Sequence, residues 1–258
     1  MPANYALHRF GTQALQRLPS QIQRPAQRFR RLYNGGLHGQ NFFFYANPFR
    51  TTPVSELYHS YHAMTGAEFF AKCSAYLKEH PSEGATACLY GLLAHYCLMS
   101  HLAPVMEKAM AEGKASRTEL EVELDRYLLG LDGKTPPHQQ DLSQHLKMTQ
   151  GECVTLSEFF SPATPANVYR AMKNMMGWCR RMAAPKQRLT SLLLGLTQGE
   201  FRQQRMPDHA NHKCLHWDMP MLECYEEALD KYEDMAQQLA VFCRNGTPLG
   251  EEFQKPFV

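Results

Sequence analysis

Residues 85–110, ATACLYGLLAHYCLMSHLAPVMEKAM, form the longest apolar stretch of the chain, and the rest of the fold is expected to surround it. A helix that spans a membrane needs about 20 mostly apolar residues with few polar groups. This stretch contains His95, His101 and Pro104, which favour a buried central helix over a membrane span. Because proline removes a backbone hydrogen bond, we expect the helix to be kinked or to end near Pro104.

The segments on either side of this stretch carry signals for further helices. Near the C-terminus, apolar residues recur at spacings of three and four, as in a long amphipathic helix: Leu222, Tyr225, Leu229, Tyr232, Met235, Leu239 and Phe242. Capping residues mark three helix starts: Thr52 before Pro53, Ser116 with Glu119 for a helix through about Leu129, and Thr164 before Pro165. No strand alternation is evident, so the sequence predicts an all-α protein.

The domain organisation follows from the connections between these helices. No linker rich in proline and serine divides the chain, and no internal repeat is visible. Residues 1–258 are therefore predicted to form a single-domain multi-helix bundle. Residues 34–50 and 197–218 lack a helical pattern, and we expect them to be long irregular loops. Nothing in the sequence indicates an oligomeric state.

Charge is distributed unevenly, although the net charge of the 258 residues is only +2. No acidic residue precedes Glu56, whereas seven arginines do: Arg9, Arg17, Arg24, Arg28, Arg30, Arg31 and Arg50. Those between residues 17 and 31 could form a helix face that meets phosphate, with interruptions at Pro19 and Pro25. We favour the alternative that they pair with the acidic residues 223–234, and we expect no nucleic-acid partner.

The N-terminus and the cysteines bear on the cellular compartment. The sequence MPANYALHRFG lacks the basic segment and apolar run of a secretory signal. The eight cysteines include no CxxC pair. We therefore expect a cytoplasmic protein without a transmembrane segment, whose cysteines are reduced and serve mostly as small core residues.

Several histidines are candidates for metal chemistry, because neutral imidazole and carboxylate groups are zinc ligands. His8 lies in the first helix, His59 and His62 are three residues apart, and His95 lies on the central helix. A single histidine on an apolar helix is more often a hydrogen-bonded core residue than a ligand. The order of the motifs around these residues is more informative.

Five motifs follow one another along residues 1–145: MPANYALHRFG, GLHGQNFFFYANP, HAMTGAEFF, YGLLAHYCLMSHLAP and SRTELEVELDRYL. In this order they resemble the bacterial zinc-dependent phospholipase C family, and its members without a signal peptide most of all. The resemblance implies an all-helical bundle related to single-strand nucleases. It also implies three zinc ions that bind and hydrolyse a phosphodiester.

The resemblance carries four metal-ligand positions over to this chain. His8 matches the early histidine of the family, and His62 matches the histidine before the GxxFF segment. His95 matches the first histidine of the central helix, and Glu121 matches the glutamate of the family's His-x-x-x-Glu. His8, His62 and His95, with Asn41 as a weaker fourth ligand, are thus the candidates for a residual zinc site.

Four positions depart from the family pattern. Asn41 stands at the base-like aspartate and has no charge, Met99 replaces a metal-bridging aspartate with a soft thioether, and Ala103 replaces a histidine. Arg117 stands at the histidine of His-x-x-x-Glu, four residues before Glu121, which is the spacing of a helical ion pair. We expect this pair to replace one zinc site, so that the chain binds one zinc ion or none, and no catalytic residue can be assigned.

A second group of possible metal ligands lies outside the matched motifs, in the segment PDHANHKCLHWD. Its members are His209, His212, Cys214 and His216. Their spacings suit a metal ion. A polar surface loop with incidental histidines explains the same residues, and the sequence leaves both interpretations open.

These observations predict a zinc-dependent phospholipase C-like protein whose depleted metal site leaves it inactive or weakly active. In an active version, metal-bound hydroxide would attack phosphorus. One alternative is a non-catalytic protein that binds a phosphate-containing small molecule or a lipid headgroup. Another is a hydrolase whose metal site is rebuilt with His59, His101 or the histidines of residues 209–216.

Overall fold

The computed structural model describes residues 3–47, 49–113, 115–183, 197, 201 and 203–257, apart from the side chain of His62. In these residues the chain forms eleven α-helices and no β-strand, which confirms the predicted all-α class. The helices are α1 (Asn4–Arg17), α2 (Ser20–Arg28), α3 (Arg30–His38), α4 (Asn41–Phe44), α5 (Pro53–Ser60), α6 (Gly66–Glu79), α7 (Glu83–Ala111), α8 (Arg117–Leu131), α9 (Gln150–Phe159), α10 (Pro165–Ala183) and α11 (Asp218–Asn245). Short 3₁₀ turns lie at Tyr61–Ala63, Pro137–Gln139, Leu215–Trp217 and Glu251–Gln254.

Helix α7 is the central helix that the apolar stretch predicts. It packs most extensively against α3 and α11, and it also contacts α1 and α2. It is the one described helix whose length and hydropathy would suit a membrane span, and 83% of its apolar window is buried inside the protein. The helix does not end at Pro104 but continues to Ala111, because packing on several sides stabilises it despite the missing backbone hydrogen bond.

Helices α3 and α7 cross where each has a glycine. A Cβ atom on Gly36 would overlap the carbonyl oxygen of Cys88, and one on Gly91 would overlap that of Tyr33. Any larger residue at either position would push the two backbones apart. The close approach brings the C-terminal end of α3 against the middle of α7.

The helix starts predicted from capping residues are confirmed. Helix α5 begins at Pro53 with Thr52 as its N-cap, and α10 begins at Pro165. The Ser116 side chain accepts a hydrogen bond from the backbone N–H of Glu119 at the start of α8, as a capping box requires. Local hydrogen-bonding chemistry therefore determines these boundaries.

The expectation of an irregular loop over residues 34–50 is wrong. Helix α3 continues to His38, and α4 follows the turn at Gly39, whose φ of 39° lies in the left-handed region that favours glycine. The glycines of this segment favour the prediction of a loop. Burial of Phe42 and Phe43 against the rest of the protein nevertheless stabilises the helical segments. In the second predicted loop, 197–218, residues 203–214 are irregular as expected, whereas residues 215–217 form a 3₁₀ turn and Asp218 begins α11. Residues 198–200 and 202 lie outside the described residues.

Four of the seven N-terminal arginines pair with acidic residues in the described part of the chain, and the C-terminal helix supplies one of these partners. Arg17 contacts Asp230 of α11, with 2.6 Å between the guanidinium nitrogen and the carboxylate oxygen. Pro25 lies within α2 and does not interrupt it. The other pairs are Arg9 with Asp132, Arg28 with Glu83, and Arg31 with Glu152.

Candidate functional site

Three histidines from separate segments meet near the end of α3, and we call them the imidazole cluster: His8 of α1, His38 of α3 and His145 of the loop before α9. The Nε2 atoms of His38 and His145 are 2.8 Å apart. The ring of His8 stacks on that of His145, with 4.0 Å between their centroids. Asn4 completes the group, because its Oδ1 lies 3.1 Å from the Nε2 of His145.

Hydrogen bonding determines which nitrogens of the cluster carry protons. Asn4 donates from Nδ2 to the carbonyl oxygen of Leu142 at 3.1 Å, so its Oδ1 is the acceptor that faces His145. The Nε2 of His145 must therefore be the donor, and the Nε2 of His38 accepts from the same N–H group. Neutral His38 then carries its proton on Nδ1, which is buried and has no hydrogen-bond partner among the described residues.

Burial holds all three imidazoles in the neutral form. Desolvation, aided by the charges of Arg30 and Lys134, lowers the pKa of His8 to about 4. Desolvation and the neighbouring rings also hold the pKa values of His38 and His145 well below 6.5. Neutral imidazole is the form that binds metal ions.

The turn that follows α3 adds more buried polar groups without partners. Both polar side-chain atoms of Gln40 and the Nδ2 of Asn41 have no hydrogen-bond partner in the described part of the chain, and each side chain is at most 2% exposed. With the Nδ1 of His38, four such atoms lie within residues 38–41. Since buried polar groups are nearly always hydrogen-bonded, this concentration indicates a place for water or a ligand.

His95 is buried on α7 and contacts the end of α3. Its Nδ1 donates to the carbonyl oxygen of Leu37, the residue before His38, at 2.9 Å. The charge of a protonated His95 would disfavour protonation of His38. His62 lies in the turn Tyr61–Ala63, but its side chain is outside the described residues, and the predicted set of His8, His62 and His95 stays a prediction.

A second buried polar region, the carboxylate end, consists of Arg117, Glu121 and Asp125 on successive turns of α8. The Nε of Arg117 donates to the Oε1 of Glu121 at 3.1 Å, which is the ion pair that the spacing predicts. The glutamate side chain is 5% exposed and the arginine side chain 28% exposed. Burial opposes the charge of Arg117, but Glu121, with smaller contributions from Tyr58 and Glu107, raises the pKa of the guanidinium overall.

Asp125 connects the carboxylate end to the first turn of α1. Its two carboxylate oxygens accept hydrogen bonds from the backbone N–H groups of Tyr5, at 3.0 Å, and Ala6, at 2.8 Å. Desolvation raises the pKa of this fully buried carboxyl to about 7, although the two hydrogen bonds oppose the shift. Because Asn4 precedes Tyr5, one turn of α1 contacts both the imidazole cluster and the carboxylate end.

The residues at the carboxylate end do not fit the zinc ion that the resemblance implies there. Glu121 already holds a guanidinium group, which competes with a cation for its charge. Met99 and Ala103 follow His95 at intervals of four residues along one face of α7, and neither supplies a carboxylate or imidazole donor. Among the described residues, no group of three or more His, Cys, Asp or Glu side chains is arranged to hold a metal ion.

The four loop candidates do not present their donor atoms to one point. His209, His212 and His216 are exposed. Cys214 is buried, and its burial raises the pKa of the thiol to about 12. The loop packs against α8 and lines a surface cavity of about 710 Å³ together with Glu119 and Glu123. This arrangement favours the interpretation as a polar surface loop.

The carboxylates that face this loop are already engaged. Glu123 is fully buried and accepts hydrogen bonds from Arg126 and from the backbone N–H of Asn211, the latter at 3.0 Å. Glu119 lies 3.4 Å from the ammonium group of Lys213. These contacts attach the loop to α8.

The two histidines considered for a rebuilt site, His59 and His101, lie on α5 and α7. His101 donates from Nδ1 to the carbonyl oxygen of Cys97 at 2.7 Å, one turn earlier on α7. His59 is exposed on α5, where its ring packs edge-on against Tyr58.

Three residues of the site are absent from the candidates that sequence analysis singles out. His38 lies in the motif GLHGQNFFFYANP directly before Gly39, and that position is a usable signal for a buried turn. Asp125 follows Glu121 by one helical turn in SRTELEVELDRYL, so a search for carboxylates on one helix face would have found it. His145 lies in a segment without a helical pattern, and only the tertiary structure brings it to the cluster.

Comparisons of the chain with protein families, curated proteins and solved structures find no match. A functional assignment therefore depends on the motifs and the geometry of this chain itself.

Proposed function

We propose that the chain is a zinc-dependent phospholipase C-like protein of phosphodiester hydrolase ancestry that has lost most of its catalytic power. The observation that carries the proposal is the ion pair of Arg117 with Glu121, 3.1 Å between Nε and Oε1. Glu121 matches a metal ligand of the family, and Arg117 stands where the resemblance implies a second one. The guanidinium group neutralises the buried carboxylate, which a zinc ion would otherwise do.

The chemistry of the other replaced positions supports a loss of activity. Zinc ions promote phosphodiester hydrolysis by lowering the pKa of bound water and by stabilising charge on the phosphoryl oxygens. Met99 has no charge with which to bridge two ions, and Asn41 cannot take a proton as an aspartate base would. A single weakly bound ion would lack the two-metal clamp that stabilises both the attacking and the leaving oxygen.

Metal analysis and an activity assay on the same preparation test this proposal. The protein is purified after expression with added zinc, its zinc content is measured, and hydrolysis of a chromogenic phosphodiester is followed. We expect at most one zinc ion per chain, and turnover no higher than that of a chelator-treated portion. Two or more zinc ions per chain with chelator-sensitive turnover would contradict the proposal.

A second candidate function is non-catalytic binding of a phosphate-containing ligand, and Arg30 favours it. Its guanidinium group donates to neutral partners, the hydroxyl of Thr12 at 2.8 Å and the side-chain oxygen of Asn34 at 3.0 Å. In the described part of the chain it has no carboxylate partner, and its charge acts on His8 and His145. A cation beside neutral imidazoles suits a phosphate oxygen.

Titration with inorganic phosphate and with glycerol phosphate tests this candidate. We expect Arg30→Gln to weaken binding by about tenfold, because hydrogen bonds to charged groups contribute about 1.5–3 kcal/mol. Arg24→Gln, at an exposed position of α2, is the matched control and should leave the affinity unchanged. Equal effects of the two variants would show only a general attraction of basic residues for phosphate and would contradict a site at Arg30.

A further inference from the structure

One ring nitrogen of His145 lies within hydrogen-bond distance of both His38 and Asn4. The Nε2 of His145 faces the Nε2 of His38 at 2.8 Å and the Oδ1 of Asn4 at 3.1 Å. In this arrangement the Nε2 of His145 carries the one N–H group that serves both contacts. In the other neutral tautomer of His145, with its proton on Nδ1, this nitrogen carries a lone pair as well, and three metal-binding atoms from separate segments then adjoin one another.

The spacing of these atoms suits the ligands of one metal ion. Zinc binds imidazole nitrogen at roughly 2.0–2.1 Å, so neighbouring ligand atoms lie roughly 2.9–3.4 Å apart for bond angles between a right angle and a tetrahedral angle. The two measured distances are within a few tenths of an ångström of this range. Small side-chain rotations would therefore convert the hydrogen-bonded group into a coordination site.

The protein also holds these side chains in place and provides unsatisfied polar groups beside them. His38 is fully buried at the end of α3, which the glycine crossing presses against α7. The Nδ2 of Asn4 is fixed by the carbonyl oxygen of Leu142, so its Oδ1 stays directed at His145. Gln40 follows in the same turn with both polar atoms unpartnered among the described residues, which suits hydrogen bonds to a metal-bound water or anion.

We propose that His38, His145 and the Oδ1 of Asn4 form a binding site for one divalent transition-metal ion of the kind that prefers imidazole, such as zinc or copper. Both imidazoles are neutral at pH 7, so they can bind the ion without first losing a proton. The ring of His8, stacked on His145, lies close enough to shield the site from solvent.

This site is independent of the proposed function. Neither His38 nor His145 is among the residues matched to the phospholipase C family, and the site would exist whether or not the chain descends from that family. Metal binding is measured here without any reference to turnover. The failure of one proposal is thus distinguishable from the failure of the other.

Titration of the metal-free protein with zinc chloride at pH 7.5 tests the site directly. We expect one ion per chain, and we expect His145→Gln to weaken binding by at least about tenfold, since even partners outside the coordination sphere are worth 10–100-fold. His145 lies in a loop and is only half-buried, so its replacement is the variant most compatible with folding. Unchanged affinity in His145→Gln, or no binding by the unmodified chain, would overturn the proposal.

A matched control separates this site from the exposed loop histidines. The triple variant His209→Ala, His212→Ala and His216→Ala should bind zinc as the unmodified chain does. Loss of binding in the triple variant would assign the ion to the loop and would overturn the proposal.

Electron paramagnetic resonance of the bound copper(II) form gives a readout that needs no variant to fold. Two imidazole nitrogens should couple to the copper in the unmodified chain, and one should remain in His145→Gln. A spectrum of the unmodified chain without two coupled nitrogens would contradict ligation by His38 and His145.

Discussion

The imidazole cluster and the carboxylate end are both buried polar regions joined by the first turn of α1, but they differ in how their polar groups are satisfied. At the carboxylate end, Arg117 neutralises Glu121 and two backbone N–H groups bind Asp125. In the imidazole cluster, the rings of His38 and His145 share one proton, and Gln40 has no partner among the described residues. A region that is satisfied internally has little need of a ligand, whereas an unsatisfied one gains by binding one.

The largest expected effect comes from breaking the satisfied region. Arg117→Met should lower the free energy of unfolding by about 3 kcal/mol, because it leaves the buried carboxylate of Glu121 without its counter-charge. Urea denaturation measures this change. The double variant Arg117→Met with Glu121→Leu should recover most of the loss, since no charge is then left unpaired. A loss below about 1 kcal/mol in the single variant would contradict the account.

Stability should change with pH in opposite directions for the two regions. Asp125 determines the direction for the carboxylate end. Its folded-state pKa of about 7 exceeds the value of the unfolded chain, so the native state binds more protons between about pH 4 and 7. Its contribution to stability is present at low pH and is lost as the pH rises through 7. The free energy of unfolding of Asp125→Asn, relative to that of the unmodified chain, should therefore be about 2 kcal/mol higher at pH 8 than at pH 5. A pH-independent difference, measured by urea denaturation, would contradict this assignment.

The imidazole cluster should act in the opposite direction. The folded-state pKa of His145 lies well below the value of the unfolded chain, so stability is full above about pH 6.5 and falls as the pH drops. Below that pH the loss approaches about 1.4 kcal/mol per pH unit for each such histidine. His145→Gln should flatten the decline by nearly that amount, and unfolding at pH 7.5, 6 and 5 measures it. Parallel curves for the two proteins would show that His145 is not held neutral.

The smallest effect is expected at the loop histidines. Because they are exposed, replacing His209, His212 and His216 together by alanine should change the free energy of unfolding by less than about 0.5 kcal/mol per residue. Urea denaturation measures this change. A loss well above that value would mean that the loop histidines contribute to packing.

The comparison also indicates which parts of the molecule a sequence can predict. The capping residues Thr52, Ser116 and Thr164 predict helix starts because their hydrogen bonds are local. The pair of Arg117 and Glu121 is predictable for the same reason, since both residues lie on one helix. These features depend on neighbours within four residues along the chain.

The imidazole cluster was beyond such reasoning because its parts are distant in sequence. His8, His38 and His145 come from three segments, and the glycine crossing of α3 and α7 helps to bring them together. Glycine in residues 34–50 favours the expectation of a loop, whereas burial of the adjacent phenylalanines makes the segment helical. Tertiary packing, which one sequence does not display, determines this site.

The central claim is that Arg117 stands where a metal ion was lost, and restoring the replaced ligands tests it most directly. The zinc content of Met99→Asp combined with Ala103→His and Arg117→His is compared with that of the unmodified chain and of Arg117→Met alone. The account predicts one additional zinc ion per chain in the triple variant and none in the single variant. A correctly folded triple variant with no gain in zinc would contradict the matching of these positions and, with it, the proposed ancestry.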